Sequence, residues 1–518
     1  MNLAKSKSKY LKCAIFIISI CILLGALSAC LPFNISLPDT LKGEEIGNTA
    51  VTITPNASDG LGEFNNGYSY VYTDKDLIDD YRAGDPSTPY DISIVKVDTS
   101  QARGTQKNPY VIASETDWET FVQFVGNDGN KSSGKYFVLA NDLDFDGKVF
   151  HPIAIFNGTF YGMGHSLNNI TCSTWQYWNG TSFINITNSN PISNDGFGLF
   201  CKTTGATITD LIIKDYSYQS VPSSGTNRTS HGPYFGGVTG IVFGDVSILN
   251  CHTQGEISYN GSYHNFNAGI VGVHGDDVNS NLLIYRCSAE VDSSINSTLD
   301  VYVGGMLGRT WTGKTVILDC VANVRANTTN MINASFCSAI SSICAASSTA
   351  KLENFVGTVD AVAKAYSYSA AIAAVQAVKA NQIFSNCYGE GSYSSLSSAT
   401  KLSLYAIVSN SSVSNTNCNS VTTANGNVGT LPSGYSPYSG NIYSSSDVLI
   451  SRAKSEVGVN FSENIWDIDK IGGSYDPDNT PVRNYLMAFI DFRNLNNSGN
   501  GEEKVGLDDG EPYIAGDK

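Results

Sequence analysis

A chain of 518 residues with a formal net charge of −16 and only 15% charged residues is a poor partner for nucleic acid, whose phosphates are neutralised by Lys and Arg. Its 49 glycines, set among many Ser, Asn and Tyr residues, suit a β-rich protein with many turns. None of its twelve cysteines stands in a C-x-x-C pair, which excludes the common zinc and dithiol motifs.

The N-terminus reads as a secretory leader. Lys5, Lys7, Lys9 and Lys12 precede an apolar run from Cys13 to Ala29, and small residues lead into a cysteine. The ending Leu27-Ser28-Ala29-Cys30 resembles the bacterial lipobox. That implies a signal peptide at 1–29, cleavage before Cys30 and lipidation of Cys30. A single membrane-spanning helix is the alternative, but the run is at the short edge for one, and Gly25 and Ser28 weaken it. The expected mature chain is extracytoplasmic, held at the cell membrane or cell surface by its lipid. Losing the four leader lysines takes the charge from −16 to about −20. Two cysteines leave with the leader and one is lipidated. Nine remain, an odd number that argues against a full set of intrachain disulfides.

Residues 30–63 are polar and read as a flexible tether. An N-terminal region follows at 64–135, with strands expected somewhere in 64–103. Ser114 to Val125 reads as a helix. Ser114 and Asp117 suit a capping box, and Trp118, Phe121, Val122 and Val125 share one face. Placed before the first repeat, this helix is expected to cap an open solenoid end, where a bare strand edge invites aggregation.

Residues 136–425 are periodic. Segments ending in Cys251, Cys287, Cys320, Cys387 and Cys418 share one form, as in Ser247-Ile248-Leu249-Asn250-Cys251. In a sixth copy Asn354 takes the cysteine's place, and the steps are then 36, 33, 34, 33 and 31 residues. Ile170 and Leu211 hold the position in two earlier copies. A second signature, small-small-apolar-any-small, precedes each ending: Gly236–Gly240, Ala268–Gly272, Gly304–Gly308, Ser338–Ser342 and Ala370–Ala374. Each copy is too short for a helix and reads as a strand. Short strands that stack on their equivalents in the next repeat make a parallel β-solenoid. Small residues relieve crowding at its corners. The cysteines read as an inward column of small, buried side chains about 4.8 Å apart. A metal or redox ladder, the functional alternative, lacks close Cys/His pairs.

Several ordered landmarks carry a family resemblance. Gly104–Ile112, Tyr136–Asp144 and Phe156–His165 resemble the lead-in, first strand and first turn of the bacterial GLUG-motif proteins. Val459–Trp466 and Thr480–Arg483 resemble their closing unit. The resemblance covers about 104–485. It implies an all-β, right-handed parallel β-helix, here of about eight or nine coils with a short capping helix. The closing unit then spans 426–490, with a second short helix expected at Ser446 to Val457. The acidic tail 491–518 is expected to lack order. The motif is architectural, and the later copies lose its core glycines.

Little catalytic chemistry is legible. Some IgA-cleaving metallopeptidases carry related repeats beside a zinc domain. However, His151, His165, His231, His252, His264 and His274 form no H-E-x-x-H arrangement. There is no G-x-S-x-G, no phosphate-binding glycine loop and no cofactor motif. Asp142, Asp144 and Asp146 resemble the start of a calcium loop, but Ile153 stands where the closing Glu belongs, so turn chemistry is preferred. Tyr and Trp cluster between each cysteine ending and the next small-residue strand: Trp175, Tyr177, Trp178, Tyr216, Tyr218, Tyr259 and Tyr263. Read as loops at one repeat position, these emerge on one side and form a candidate face for a glycan or extracellular protein. Packing across a wide solenoid wall is the alternative. The expected function is a surface adhesin or binding scaffold with no assigned catalytic residue. A carbohydrate-active enzyme, either a polysaccharide lyase or a glycoside hydrolase, is the alternative, by fold analogy only.

Overall fold

The computed structural model describes strands at 69–73 and 92–96. It then describes 102–185 without 107 and 163–164, 196–219, 233–329 without 276–278, and 335–363 without 340. Strand segments between 367 and 443, residue 418, and 505–508 with 511–514 complete the described residues. Cys30, the 30–63 tether, the expected helix at 446–457 and the closing landmarks at 459–466 and 480–483 lie outside them.

The fold is a parallel β-solenoid. Four strand positions recur in each coil, and each strand pairs in parallel with its equivalents before and after. The first wall stacks Ile153–Phe156, Phe200–Thr204, Thr239–Phe243, Val271–His274 and the start of Leu307–Thr329. The second stacks Tyr136–Leu139, Thr159–Tyr161, Thr207–Thr209, Asp245–Leu249 and Asn281–Tyr285, then runs on through 314–318, 349–353 and 381–385. The third stacks Ser166–Asn168, Ile212–Gln219, His252–Gly261 and Ser288–Ser297, then 321–328, 356–363 and 388–395. The fourth stacks Gly196–Phe197, Tyr234–Gly236, Asn265–Ala268, Val301–Gly304 and Ser335–Ser338. Seven coils, at 196–219, 234–261, 265–297, 301–328, 335–363, 367–395 and 402–425, carry strands at all four positions among the described residues, against the eight or nine coils expected. Earlier coils are shortened, and later ones are described only in part.

The small-residue signature marks the fourth-to-first wall corner. A Cβ on Gly240 would lie 2.0 Å from the Phe197 nitrogen of the coil before, and one on Gly236 would lie 2.6 Å from the Gly272 nitrogen of the coil after. Successive coils therefore touch backbone to backbone, and no side chain fits between them.

The second-to-third wall corner uses a different device. Asn169, Asp210, Asn250, Arg286, Asp319 and Asn354 all adopt φ between 50° and 56°. Asn and Asp tolerate this left-handed conformation better than most residues. Backbone N–H groups there donate to the next coil: Asp210 to Leu249, Asn250 to Tyr285 and Arg286 to Leu318. Side chains ladder as well, with Asn250 Nδ2 donating to Asp210 Oδ1 at 2.6 Å and Asn354 Nδ2 to Asp319 Oδ1 at 3.0 Å. The next residue points inward: Ile170, Leu211, Cys251, Cys287, Cys320 and Phe355 are fully buried. The sixth copy is thus corrected by one position. Phe355, paired with Cys320 and Cys387, occupies the cysteine column, and Asn354 is the corner residue.

One end of the core is plugged by α1, Glu115–Val125. Ser114 caps it, accepting from the Asp117 N–H at 3.2 Å, while the Ser114 hydroxyl donates to Asp117 Oδ2 at 2.8 Å. Trp118, Phe121, Val122 and Val125 are buried, as their spacing predicts. Phe121 packs on Phe137, Phe156 and Phe160 of the first coils, with centroids 4.6, 6.1 and 6.0 Å away. The Trp118 indole donates to the His151 carbonyl at 3.0 Å. Elsewhere, Ser69–Thr73 pairs antiparallel with Ile92–Lys96, in the region where strands were expected. Within the tail expected to lack order, Val505–Asp508 pairs antiparallel with Glu511–Ile514.

Candidate functional site

The third wall decides where the predicted aromatics go. The stretches read as loops are strands, and a strand sends alternate side chains to opposite faces. In His252–Gly261, Ile257 and Tyr259 point into the core, while Glu256, Ser258 and Asn260 are exposed. In Ile212–Gln219, a bulge after Lys214 with Asp215 at φ 56° resets the alternation. Tyr216 and Tyr218 then face inward, 1% and 0% exposed. Burial pushes both phenols upward in pKa, and Tyr218 donates to the Gly237 carbonyl at 3.2 Å.

The insertion aromatics are not an exposed face either. Gln176–Trp178 and Phe183–Asn185 form an antiparallel hairpin. Trp175 is buried against Phe197, Tyr218 and Phe235, and its Nε1 donates to the Gln219 carbonyl at 3.0 Å. Tyr177 is buried, and Trp178 is half-buried against Phe183. The hairpin is pinned beside α1 by His151. Its ring stacks on Phe183 with centroids 3.6 Å apart and bonds Glu119 at 2.9 Å and Gln176 at 3.2 Å. Tyr259 is buried, and its hydroxyl accepts from the N–H of the half-buried Tyr263 at 3.2 Å. The expected aromatic face is therefore corrected: five of its seven members belong to the core and the other two are half-buried.

The calcium candidates are held by turn and corner contacts. Asp142 Oδ1 accepts from the Ser166 N–H at 2.7 Å and lies 3.2 Å from His165 Nδ1. Partial burial opposes its ionisation, but the bonds from His165 and Ser166 outweigh this and keep its pKa below the usual carboxylate range. Asp144 Oδ1 accepts from Asn169 Nδ2 at 2.9 Å and from the Asp146 N–H at 3.0 Å, which also lowers its pKa. No cluster of three His, Cys, Asp or Glu suited to a metal occurs among the described residues. Cys251, Cys287 and Cys320 are buried free thiols. The Cys251 N–H points to Cys287 Sγ, and the Cys287 N–H to Cys320 Sγ, each at 3.4 Å.

What the third wall offers to solvent is polar. Its outward columns run along the solenoid in register: Ser217, Glu256, Asp292, Arg325 and Asp360, and beside them Gln219, Ser258, Ser294 and Asn327. A third column begins with Asn260 and Asn296, whose amides bond at 3.1 Å. Two adjoining grooves lie on this face. One, of about 410 Å³, is lined by Gln219, Ser258, Asn260, Ser294, Asn296 and Asn327, with Ser173 at one edge and Tyr259 and Ile295 at its floor. The other, of about 280 Å³, shares Ser258, Ser294 and Asn327 and adds Glu256, Asp292, Arg325 and Asp360. Arg325 donates to Asp292 Oδ2 and Glu290 Oε1, both at 3.1 Å. Asn323 Nδ2 donates to Glu290 Oε1 at 3.2 Å, and the Thr358 hydroxyl to Asn323 Oδ1 at 2.9 Å. These bonds cross from coil to coil and hold the face rigid. The groove is hidden in the sequence because Ser and Asn are also common turn residues. The alternation Glu256-Ile257-Ser258-Tyr259-Asn260 was the available signal.

Fold and face together define a parallel β-solenoid with a polar groove on one outer wall. No protein-family model matches the chain. It is similar to halomucin of Haloquadratum walsbyi (strain DSM 16790 / HBSQ001), with 24% identity over 209 residues. That match takes in 36% of this chain and spans only 2% of halomucin's length. Among solved structures it is similar to a protein of Bacteroides ovatus provisionally described as an immunoglobulin A1 protease. The TM-score is 0.39 and the identity 16%, over 70% of this chain and 90% of that one.

Proposed function

We propose that this protein is a lipid-anchored surface scaffold of the GLUG type that holds an extracellular ligand, a glycan or a protein, on the outer face of its third wall. One observation carries the reading: the adjoining polar grooves that share Ser258, Ser294 and Asn327. Bonds between coils, Asn296 to Asn260 and Arg325 to Asp292 and Glu290, set side chains of these grooves before any ligand arrives. The basic and apolar leader with Cys30 supports an extracytoplasmic position for the chain.

The test uses soluble 31–518 in pull-downs on polysaccharides and extracellular matrix proteins. Ser294→Trp fills the groove from an exposed position and is expected to abolish retention while leaving urea unfolding unchanged. Retention that survives Ser294→Trp refutes the site. Labelling of the full chain with a radioactive fatty acid tests the anchor, and Cys30→Ser is expected to abolish it. Glu256, Asp292 and Asp360 on the same face favour carbohydrate cleavage as the second reading. Release of short saccharides, lost in Glu256→Gln or Asp360→Asn, establishes that reading.

A further inference from the structure

We infer that the ligand is an uncharged polysaccharide lying along the solenoid axis across several coils; the inference rests on the third-wall site proposed above. The larger groove supplies the first reason. Its lining is amides and hydroxyls over a floor of Tyr259 and Ile295, with no charged side chain. Amides and hydroxyls both donate and accept, which matches the hydroxyls of a neutral sugar. The groove also lacks the deep apolar pocket that anchors most protein ligands.

Periodicity is the second reason. Ser258, Ser294 and Asn327 are register partners on successive coils, and so are Asn260 and Asn296. Adjacent coils are about 4.8 Å apart. The wall therefore offers amides and hydroxyls, each able to donate and accept, at a fixed repeat. A polymer of repeating hydroxylated units uses such an array, whereas a compact small molecule meets only one rung of it.

Charge is the third. The flanking groove carries Glu256, Asp292 and Asp360 against Arg325 alone, and Arg325 is already bonded to Asp292 and Glu290. This flank repels a polyanion. Asp292 and Glu290 have their cation within the protein, and the larger groove, which carries the register array, offers a cationic polymer no carboxylate.

The experiment is an array of immobilised neutral, acidic and amino polysaccharides probed with soluble 31–518. Retention confined to neutral polymers is expected. It should persist at high salt and strengthen with oligosaccharide length until the chain spans the groove. Asn260→Ala with Asn296→Ala should weaken it about tenfold through lost hydrogen bonds, with unfolding by urea as the folding control. Strongest retention on an acidic or amino polymer, or retention lost in salt, overturns the inference. So does capture of a protein ligand, sensitive to Ser294→Trp, with no polysaccharide retained; the proposed site then stands and its ligand class falls. Retention insensitive to Ser294→Trp, or none on any surface, overturns both.

Discussion

Replacing Trp175 with Ala asks whether the insertion's indole belongs to the core or to a binding surface. The side chain is 1% exposed, and its ring lies 4.9 to 5.9 Å from Phe197, Tyr218 and Phe235. Truncating a buried aromatic costs about 3–5 kcal/mol. Leaving the Gln219 carbonyl without its indole donor adds about 1 kcal/mol. A loss of about 4–6 kcal/mol is expected. A solenoid loses stability locally, so the effect should fall on the coils of Phe197 and Phe235. Amides in Phe200–Thr204 and Thr239–Phe243 should exchange at least about a thousandfold faster, and the urea midpoint of that section should drop. Trp178→Ala, at a half-buried hairpin site, should cost only about 1 kcal/mol. The reasoning fails if Trp175→Ala leaves exchange and urea midpoint unchanged yet abolishes ligand retention, because the ring would then be a surface contact.

Two buried titrating groups at neighbouring coils should act with opposite signs on stability. Burial pushes Asp210 up to about 6, against the bonds from Asn250 and Thr209. Native stability should therefore fall by about 3 kcal/mol as pH rises from about 4 through 6, since the folded state holds the proton longer. Burial pushes His252 down to about 3, so its contribution is present above about 6.5 and is lost as pH falls toward 3. Asp210→Asn removes the first limb, and stability between about pH 4 and 7 should then rise more steeply than in the parent; an unchanged slope in urea titrations would mean the carboxyl is not buried. Gly240→Ala places a methyl 2.0 Å from the Phe197 nitrogen, and about 3 kcal/mol or more of destabilisation is expected by thermal unfolding. Ser294→Trp and Ile295→Ser lie one residue apart on opposite faces. The first should change stability by under about 0.5 kcal/mol and the second by about 3 kcal/mol or more, and equal effects would refute the register.

The helix cap, the small-residue corner and the inward column were legible because each combines a residue type with a steric demand. Ser114 with Asp117 and Gly236 with Gly240 allow few substitutes at their sites, and the cysteines recur at a nearly constant step. The sixth copy sits one position from where the cysteine spacing puts it, because the cysteine is not the fixed point of the repeat. The more constant requirement is the left-handed residue before it, which Asn250 and Asn354 both satisfy. A Phe fits the column where the two cysteines beside it leave room, so residue identity there is a weaker marker than backbone conformation. The aromatic strands resemble loops in the sequence because they vary in length and are rich in Ser, Asn and Tyr. Tyr259 and Tyr218 look like binding residues by type, yet period-two alternation assigns them to the core.

This solenoid leaves few positions for ligand recognition. Inward columns are filled by the core, and left-handed Asn and Asp residues take one corner. At the other corner, backbones approach too closely for side chains. Outward residues of the walls are released from packing, and in the third wall they alternate with buried Ile257, Tyr259, Val291 and Ile295. Core aromatics then contribute indirectly, by making the wall beneath the groove stiff. On the proposed reading, recognition falls to short polar side chains on successive coils, linked across coils by bonds such as Asn296 to Asn260. Individually such contacts are weak. A ligand that repeats with the wall engages many at once, so affinity grows with the number of coils spanned, and lengthening the array extends the binding surface without any new chemistry.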